Sequence, residues 1–84
     1  MTQIIKKDGK TIIKTGKRID TMNAADFERD IEPALEQNVD LEIDCSDLIY
    51  LARSGLRVMQ YIIRSVKMEL GGQVKMTHEK PNIY

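Results

Sequence analysis

The sequence predicts a mixed α/β domain: a small four-stranded sheet in the chain order β-β-α-β-α-β, with the helices mainly on one face. Three observations carry this. Two β-branched runs flank Asp8-Gly9 in "QIIKKDGKTIIK", apolar and acidic residues alternate strictly from Val39 to Asp44, and two longer segments repeat their apolar residues at steps of three and four. The first is a hairpin signature, the second the period of a half-buried strand, and the third the period of amphipathic helices.

Asp8 and Gly9 both accept the positive φ angles of a type I′ turn, so the residues on either side pair as antiparallel strands. After Gly16, "RIDTMNAADFERDIEPALEQN" offers Thr21 or Asn23 as an N-cap and places Ala24, Phe27, Ile31 and Leu35 on one helical face. Pro33 has no amide donor and crowds the carbonyl four residues earlier, at about 3 kcal/mol, so the helix should kink or break there, with Leu35 in a second turn. "VDLEIDCS" sends Val39, Leu41 and Ile43 to one side and Asp40, Glu42 and Asp44 to the other. From Ser54 to Leu70 the core stripe reads Leu56, Met59, Ile63, Val66 and Leu70, widened by Val58 and Ile62, and Gly71-Gly72 stops the helix. "QVKMTH" is the last strand. Strands joined through helices are parallel with right-handed crossovers, so the hairpin supplies the one antiparallel member.

Composition narrows the function classes. A chain of 84 residues is one domain, 1–84, burying roughly 60 to 65% of its unfolded surface. It has no eighteen-residue apolar run and no secretory leader pattern, so the sequence reads as cytoplasmic, away from membranes. Cys45 is the only cysteine, which excludes an internal disulfide. Thirteen basic residues balance thirteen acidic ones, so no global field favours nucleic acid, and a protein is the expected partner.

Among local constellations, the loop before the long helix stands out: Ser54 can cap the helix, Gly55 hints at a close approach, and free amides at a helix start favour an anion. Arg57, Gln60, Arg64 and Lys67 share one helical face, read most simply as a solvated basic face. The acidic row Asp40, Glu42 and Asp44 reads as a wet sheet face paired with Lys6, Lys14 or Lys75 rather than as a metal site. Cys45 and His78 would make a nucleophile and base only if folding joined them with a third orienting group, and none is apparent, so no enzyme and no cofactor is expected. Of the methionines, Met59 and Met76 read as core, Met22 and Met68 as surface.

The segments "GKRIDTMNAADFERDI" and "VDLEIDCSDLIYLARSGLRVMQYIIRSVKMELGGQVKM" resemble the STAS domain of bacterial anti-sigma factor antagonists. The likeness runs from about Gly16 to Met76 and lies in the order of loosely defined motifs: a strand ending near Asp44, the passage Leu48-Ile49-Tyr50-Leu51, a serine-bearing loop and then Gly-Leu heading a helix. Gly16 and Asp20 echo an earlier element of the family. The resemblance implies a binding module that sequesters a kinase-type anti-sigma factor and is switched off by phosphorylation of a loop serine. Aligned on Gly55-Leu56, however, the usual phosphoacceptor falls on Arg53 and the residue before it on Ala52, with Ser54 one place later. Arginine has no hydroxyl and carries a fixed positive charge, so the expectation is a binder without the switch, with Ser54 as a displaced acceptor the alternative.

The partner surface implied by the resemblance comprises Asp20, Arg53, Ser54, Gly55, Arg57 and Gln60, with Tyr61 beside them. The other reading is an assembly module that pairs with copies of itself or docks into a larger sensor complex. Family members usually continue into a further helix and strand, whereas this sequence stops at "NIY"; a homodimer or a bare sheet edge near the last strand is therefore expected.

Overall fold

The turn at Asp8-Gly9 sets the first strand pair, with φ of 53° and 77° at its two residues, both left-handed as a type I′ turn requires. In the computed structural model, which describes residues 2–78, β1 (Gln3–Lys7) and β2 (Lys10–Lys14) run antiparallel from that turn with Ile5 opposite Ile12. After β3 (Arg18–Ile19) come α1 (Ala24–Ile31), a 3-10 turn (Glu32–Ala34) and β4 (Asp40–Asp44). β5 (Tyr50–Leu51), α2 (Arg53–Arg64), a π-helical segment (Ser65–Glu69) and β6 (Gln73–Thr77) follow.

The main sheet has the order β1-β2-β4-β6, with β2–β4 and β4–β6 parallel. The mixed sheet and its single antiparallel pair are as expected. Pro33 acts where anticipated: α1 ends at Ile31, and Leu35 closes the short 3-10 turn that holds the proline. Gly71, at φ 67°, follows the last helical turn.

One face of the sheet carries the core. Ile13, Leu41 and Ile43 are fully buried there against Phe27 and Ile31 of α1 and against Met59, Ile62 and Val66 from the second helical stretch. Met76 is only partly buried at the edge of this cluster, while Met22 and Met68 are exposed as expected. On the opposite face the register sets Lys14 beside Asp44 and Lys75 beside Glu42, as expected, and the ion pair to the acidic row within 4.0 Å is that of Lys10, with its Nζ 3.4 Å from Glu42 Oε1. Parallel register puts Lys10 beside Asp40, one step from Glu42, whereas Lys6 reaches Glu36 and Lys14 reaches Asp47. Thr77 Oγ1 donates to the other Glu42 oxygen at 3.1 Å. Among the described residues no group of His, Cys, Asp and Glu is arranged to hold a metal ion.

The long helix departs from its predicted stripe. Its buried line is Gly55, Met59, Ile62 and Val66, while Leu56, Val58 and Leu70 are partly buried and Ile63 lies outside the core cluster. Gly55 explains the rotation. A Cβ at that position would lie 2.5 Å from Ile19 Cγ2 and 2.8 Å from Leu51 Cδ1, so the helix axis approaches the loops through the one residue without a side chain. Near its end the helix widens, and the amide of Leu70 donates to the carbonyl of Ser65, five residues back. The expectation about the chain end at "NIY" falls on residues 79–84, outside the described residues.

Candidate protein-binding surface

Two loops that are far apart in sequence meet at the head of α2. Arg18 and Ile19 pair in parallel with Tyr50 and Leu51, and the amide of Ala52 donates to the carbonyl of Ile19 at 2.8 Å. Leu51 and Ile19 turn inward, where both are buried, while Tyr50 and Ile49 face out, Ile49 at 62% exposure. Arg18 lies over the Tyr50 ring at 4.8 Å from its centroid, and its Nε is 3.5 Å from Asp20 Oδ2. Such a stacked, ion-paired guanidinium ties the two loops into one corner.

Asp20 organises the start of α1. Its Oδ1 accepts the amides of Met22 and Asn23, and its carbonyl accepts the amide of Ala24 at 2.9 Å. Asn23 is the N-cap residue, as the sequence suggested, but its side chain works backwards: Oδ1 accepts the Asp20 amide and Nδ2 donates to the Arg18 carbonyl. This reciprocal turn leaves Met22 at its tip with 90% of its surface exposed. Methionine there gains nothing from folding and presents a flexible apolar side chain to solvent.

The head of α2 is built differently from the capped start expected of Ser54. Ala52 is the N-cap residue, no side chain caps the helix, and Arg53 occupies its first turn. Ser54 is already helical and half-buried, and its hydroxyl donates to Thr21 Oγ1 at 3.5 Å, which turns it toward the Asp20 loop. Arg53, Arg57, Gln60 and Tyr61 are exposed, whereas Gly55 is buried and serves the packing of the helix. The structure therefore brings Asp20, Ser54 and the start of α2 together and carries Arg57 and Gln60 along the outer face of the same helix. Arg18, Thr21, Met22, Ile49 and Tyr50 also belong to this corner and were not singled out as site residues from the sequence. Only the apolar passage around Ile49 and Tyr50 signalled it.

Two other places have less to offer. A groove of about 490 Å³ beside β3 is lined by Lys14, Lys17 and Arg18, but Lys14 is paired with Asp47 and Arg18 with Asp20. Cys45 is buried in the core with its sulfur 4.0 Å from the Ile43 carbonyl, while His78 is exposed at the end of β6, so the two side chains belong to different environments. Next to it, Asp44 has its carboxyl held below the usual aspartate range, first by the Ser46 amide that donates to Oδ1 at 2.9 Å, against the opposing effect of burial.

The domain is thus a one-sided α/β sheet whose helix head and two paired loops form an exposed apolar and arginine-bearing corner. The chain belongs to the STAS domain family, whose model matches residues 1–84. Its fold is shared with the crystal structure of an anti-sigma factor antagonist from Mycobacterium paratuberculosis, at 23% identity and a TM-score of 0.76, over 90% of this chain and 66% of that one. It is shared as well with the murine solute carrier 26 family member A9 anion transporter in its inward-facing state, at 15% identity and a TM-score of 0.75, over 90% of this chain and 13% of that one. A third similar structure, described as Mglu, has 12% identity and a TM-score of 0.71, and this chain spans 20% of it. The chain thus spans less than two thirds of each of these structures. No curated protein matches the sequence. Among the described residues no helix is long and apolar enough to cross a membrane.

Proposed function

We propose that this chain is a protein-binding module of the anti-sigma factor antagonist kind, which holds a kinase-type anti-sigma factor and works without the serine phosphorylation switch. The observation that carries the reading is the exposure of Met22, Ile49 and Tyr50 on two loops that meet at the head of α2, where Arg53 is exposed as well. Aromatic, methionine and arginine side chains are the ones enriched in protein interfaces, and preorganisation lowers the cost of docking. In this reading Arg53, Ser54, Arg57 and Gln60 touch the partner, while Asp20 and Gly55 hold the surface in shape. An unswitched module is favoured by Arg53, which has no acceptor hydroxyl, and by the Ser54 hydroxyl, which faces Thr21.

The test incubates the chain with the kinase-type anti-sigma factors of its host and ATP, reading complex formation by calorimetry and added phosphate by mass spectrometry. A complex without phosphate transfer is expected. Stoichiometric phosphate abolished by Ser54→Ala would overturn the unswitched reading, and the absence of any complex would overturn the antagonist reading itself. One observation favours the assembly alternative: every residue of β1 is exposed, Ile4 and Ile5 included, and β1 is an edge strand of the sheet formed by the described residues. Concentration-dependent dimers in sedimentation equilibrium, with no anti-sigma factor bound, would select it.

A further inference from the structure

The charges at the start of α2 are placed where they do not help the chain that carries them, whereas Arg64 sits in its last turn, where the helix dipole favours a cation. Ion pairs on the described residues involve Lys6, Lys10, Lys14, Arg18 and Arg29, each with a carboxylate within 4.0 Å. Arg53, Arg57, Arg64 and Lys67 are all exposed, and none has such a partner among the described residues. The helix Arg53–Arg64 contains no acidic residue at all. At about 100° and 1.5 Å per residue, Arg53, Arg57, Gln60 and Arg64 fall within about 60° of arc, a straight row roughly 16 Å long. This row lies opposite the buried line of Gly55, Met59 and Ile62.

Arg53 is the most telling member. A cation in the first turn opposes the positive end of the helix dipole, and no cap or first-turn carboxylate offsets it. Stability would favour aspartate or glutamate there. A cation kept at a position that disfavours it, in line with two more that have no partner among the described residues, is a surface waiting for external carboxylates.

We infer that this row docks an acidic protein face, whose carboxylates stand about one helical turn apart and pair with Arg53, Arg57 and Arg64. Arginine forks match carboxylates in bidentate geometry, and the exposed Tyr61 and Met68 flanking the row supply apolar contact. A protein face fits better than a polyanion strand, because the row is short and bounded by Glu69 past one end and Asp20 near the other. The inference rests on the protein-binding reading above and specifies the chemistry of that partner.

The experiment titrates the isotope-labelled full chain with a capped helical peptide bearing glutamate at every third or fourth position, and with its glutamine counterpart, following backbone and arginine side-chain resonances. The glutamate peptide should perturb Arg53, Arg57 and Arg64, bind roughly tenfold more tightly than the glutamine peptide, and weaken as salt rises. Arg57→Glu combined with Arg64→Glu should lower that affinity at least about tenfold with the melting temperature preserved, while Lys7→Glu on β1 leaves it unchanged. Equal binding of the two peptides, an equal loss with Lys7→Glu, or tighter binding of a single-stranded RNA or of phosphatidylserine vesicles would each overturn the inference. Measured against the anti-sigma factor, a complex that survives the double reversal would sink the acidic-face inference and leave the antagonist reading standing; a complex lost only in the double reversal supports both.

Discussion

α1 and α2 pack side by side on the same face of the sheet, yet their amino-terminal ends follow opposite electrostatic rules. α1 starts from the Asp20 turn, carries Asp26 in its first turn and Arg29 in its last, and pairs those two residues with each other. Each feature is one from which an isolated helix gains stability. α2 starts on Ala52 with no side-chain cap and puts Arg53 where α1 puts an acid. The shorter helix is therefore arranged for its own stability, and the longer one, whose buried line continues past its end into Val66, has its exposed start free for recognition. Burial at Gly55, Met59 and Ile62 anchors α2 strongly enough that its surface charges need not.

The largest test of this contrast removes the anchor. Gly55→Ala forces a methyl group into Ile19 and Leu51, and should cost about 1 to 3 kcal/mol in urea unfolding, because overpacked side chains must shift. If the loss is negligible, α2 is not held by that approach. Next, Asp20→Ala removes the acceptor of two amides at the start of α1 and should cost about 1 kcal/mol, by the same measurement. Third, Arg53→Glu should raise stability by about 0.3 to 1 kcal/mol at low salt while weakening partner binding, and Asp26→Asn in α1 should lower stability by a similar amount. A destabilising Arg53→Glu would end the contrast.

The smallest effect lies outside both helices. Because the folded Asp44 carboxyl titrates below its unfolded value, its contribution to stability is present above the unfolded value and is lost as pH falls through the folded one. Asp44→Asn should therefore flatten the acid limb of a stability profile by lowering stability at neutral pH, with the acid end little changed. An unaltered acid limb would mean that the Ser46 amide is not held in the folded chain as described.

Much of the fold was legible because its signals are local. The two turn residues at Asp8-Gly9, the helix break at Pro33 and the stop at Gly71 each act on their own neighbours, and the alternation through β4 reports a single wet face. The β3–β5 pairing was not legible, since two residues per strand are too few to show a period and their partners lie about thirty positions apart. The α2 stripe was read correctly at Met59, Ile62 and Val66 and missed at its amino-terminal end for a related reason. Glycine contributes nothing to a hydropathy pattern, so Gly55 could not be seen as the centre of the contact, and Leu56 took its place. Ser54 looked like a cap because serine favours that position, whereas the amide of Ala52 was already bound to Ile19 and set the start of the helix two residues earlier. Of the candidate surface, Arg57 and Gln60 were readable from helical spacing and Arg53 from the family resemblance; Met22 was readable only as exposed, and its place at the tip of the Asp20 turn depends on hydrogen bonds that no sequence pattern announces.

The short β3–β5 pair also bears on when the surface exists. It holds two residues from each loop at the rim of the molecule, with Arg18 and Tyr50 open to water, whereas β4 sits at the centre of the main sheet between two partners. Local opening there should require less free energy than opening of β4, so the amides of Tyr50 and Ala52 should exchange with deuterium sooner than those of Leu41 and Ile43. Because it closes over so long a stretch of chain, the corner should also be among the last parts to assemble, after the β1–β2 hairpin. A protein that grips this corner would then recognise only finished molecules, and its grip would appear as slowed exchange in two loops thirty residues apart.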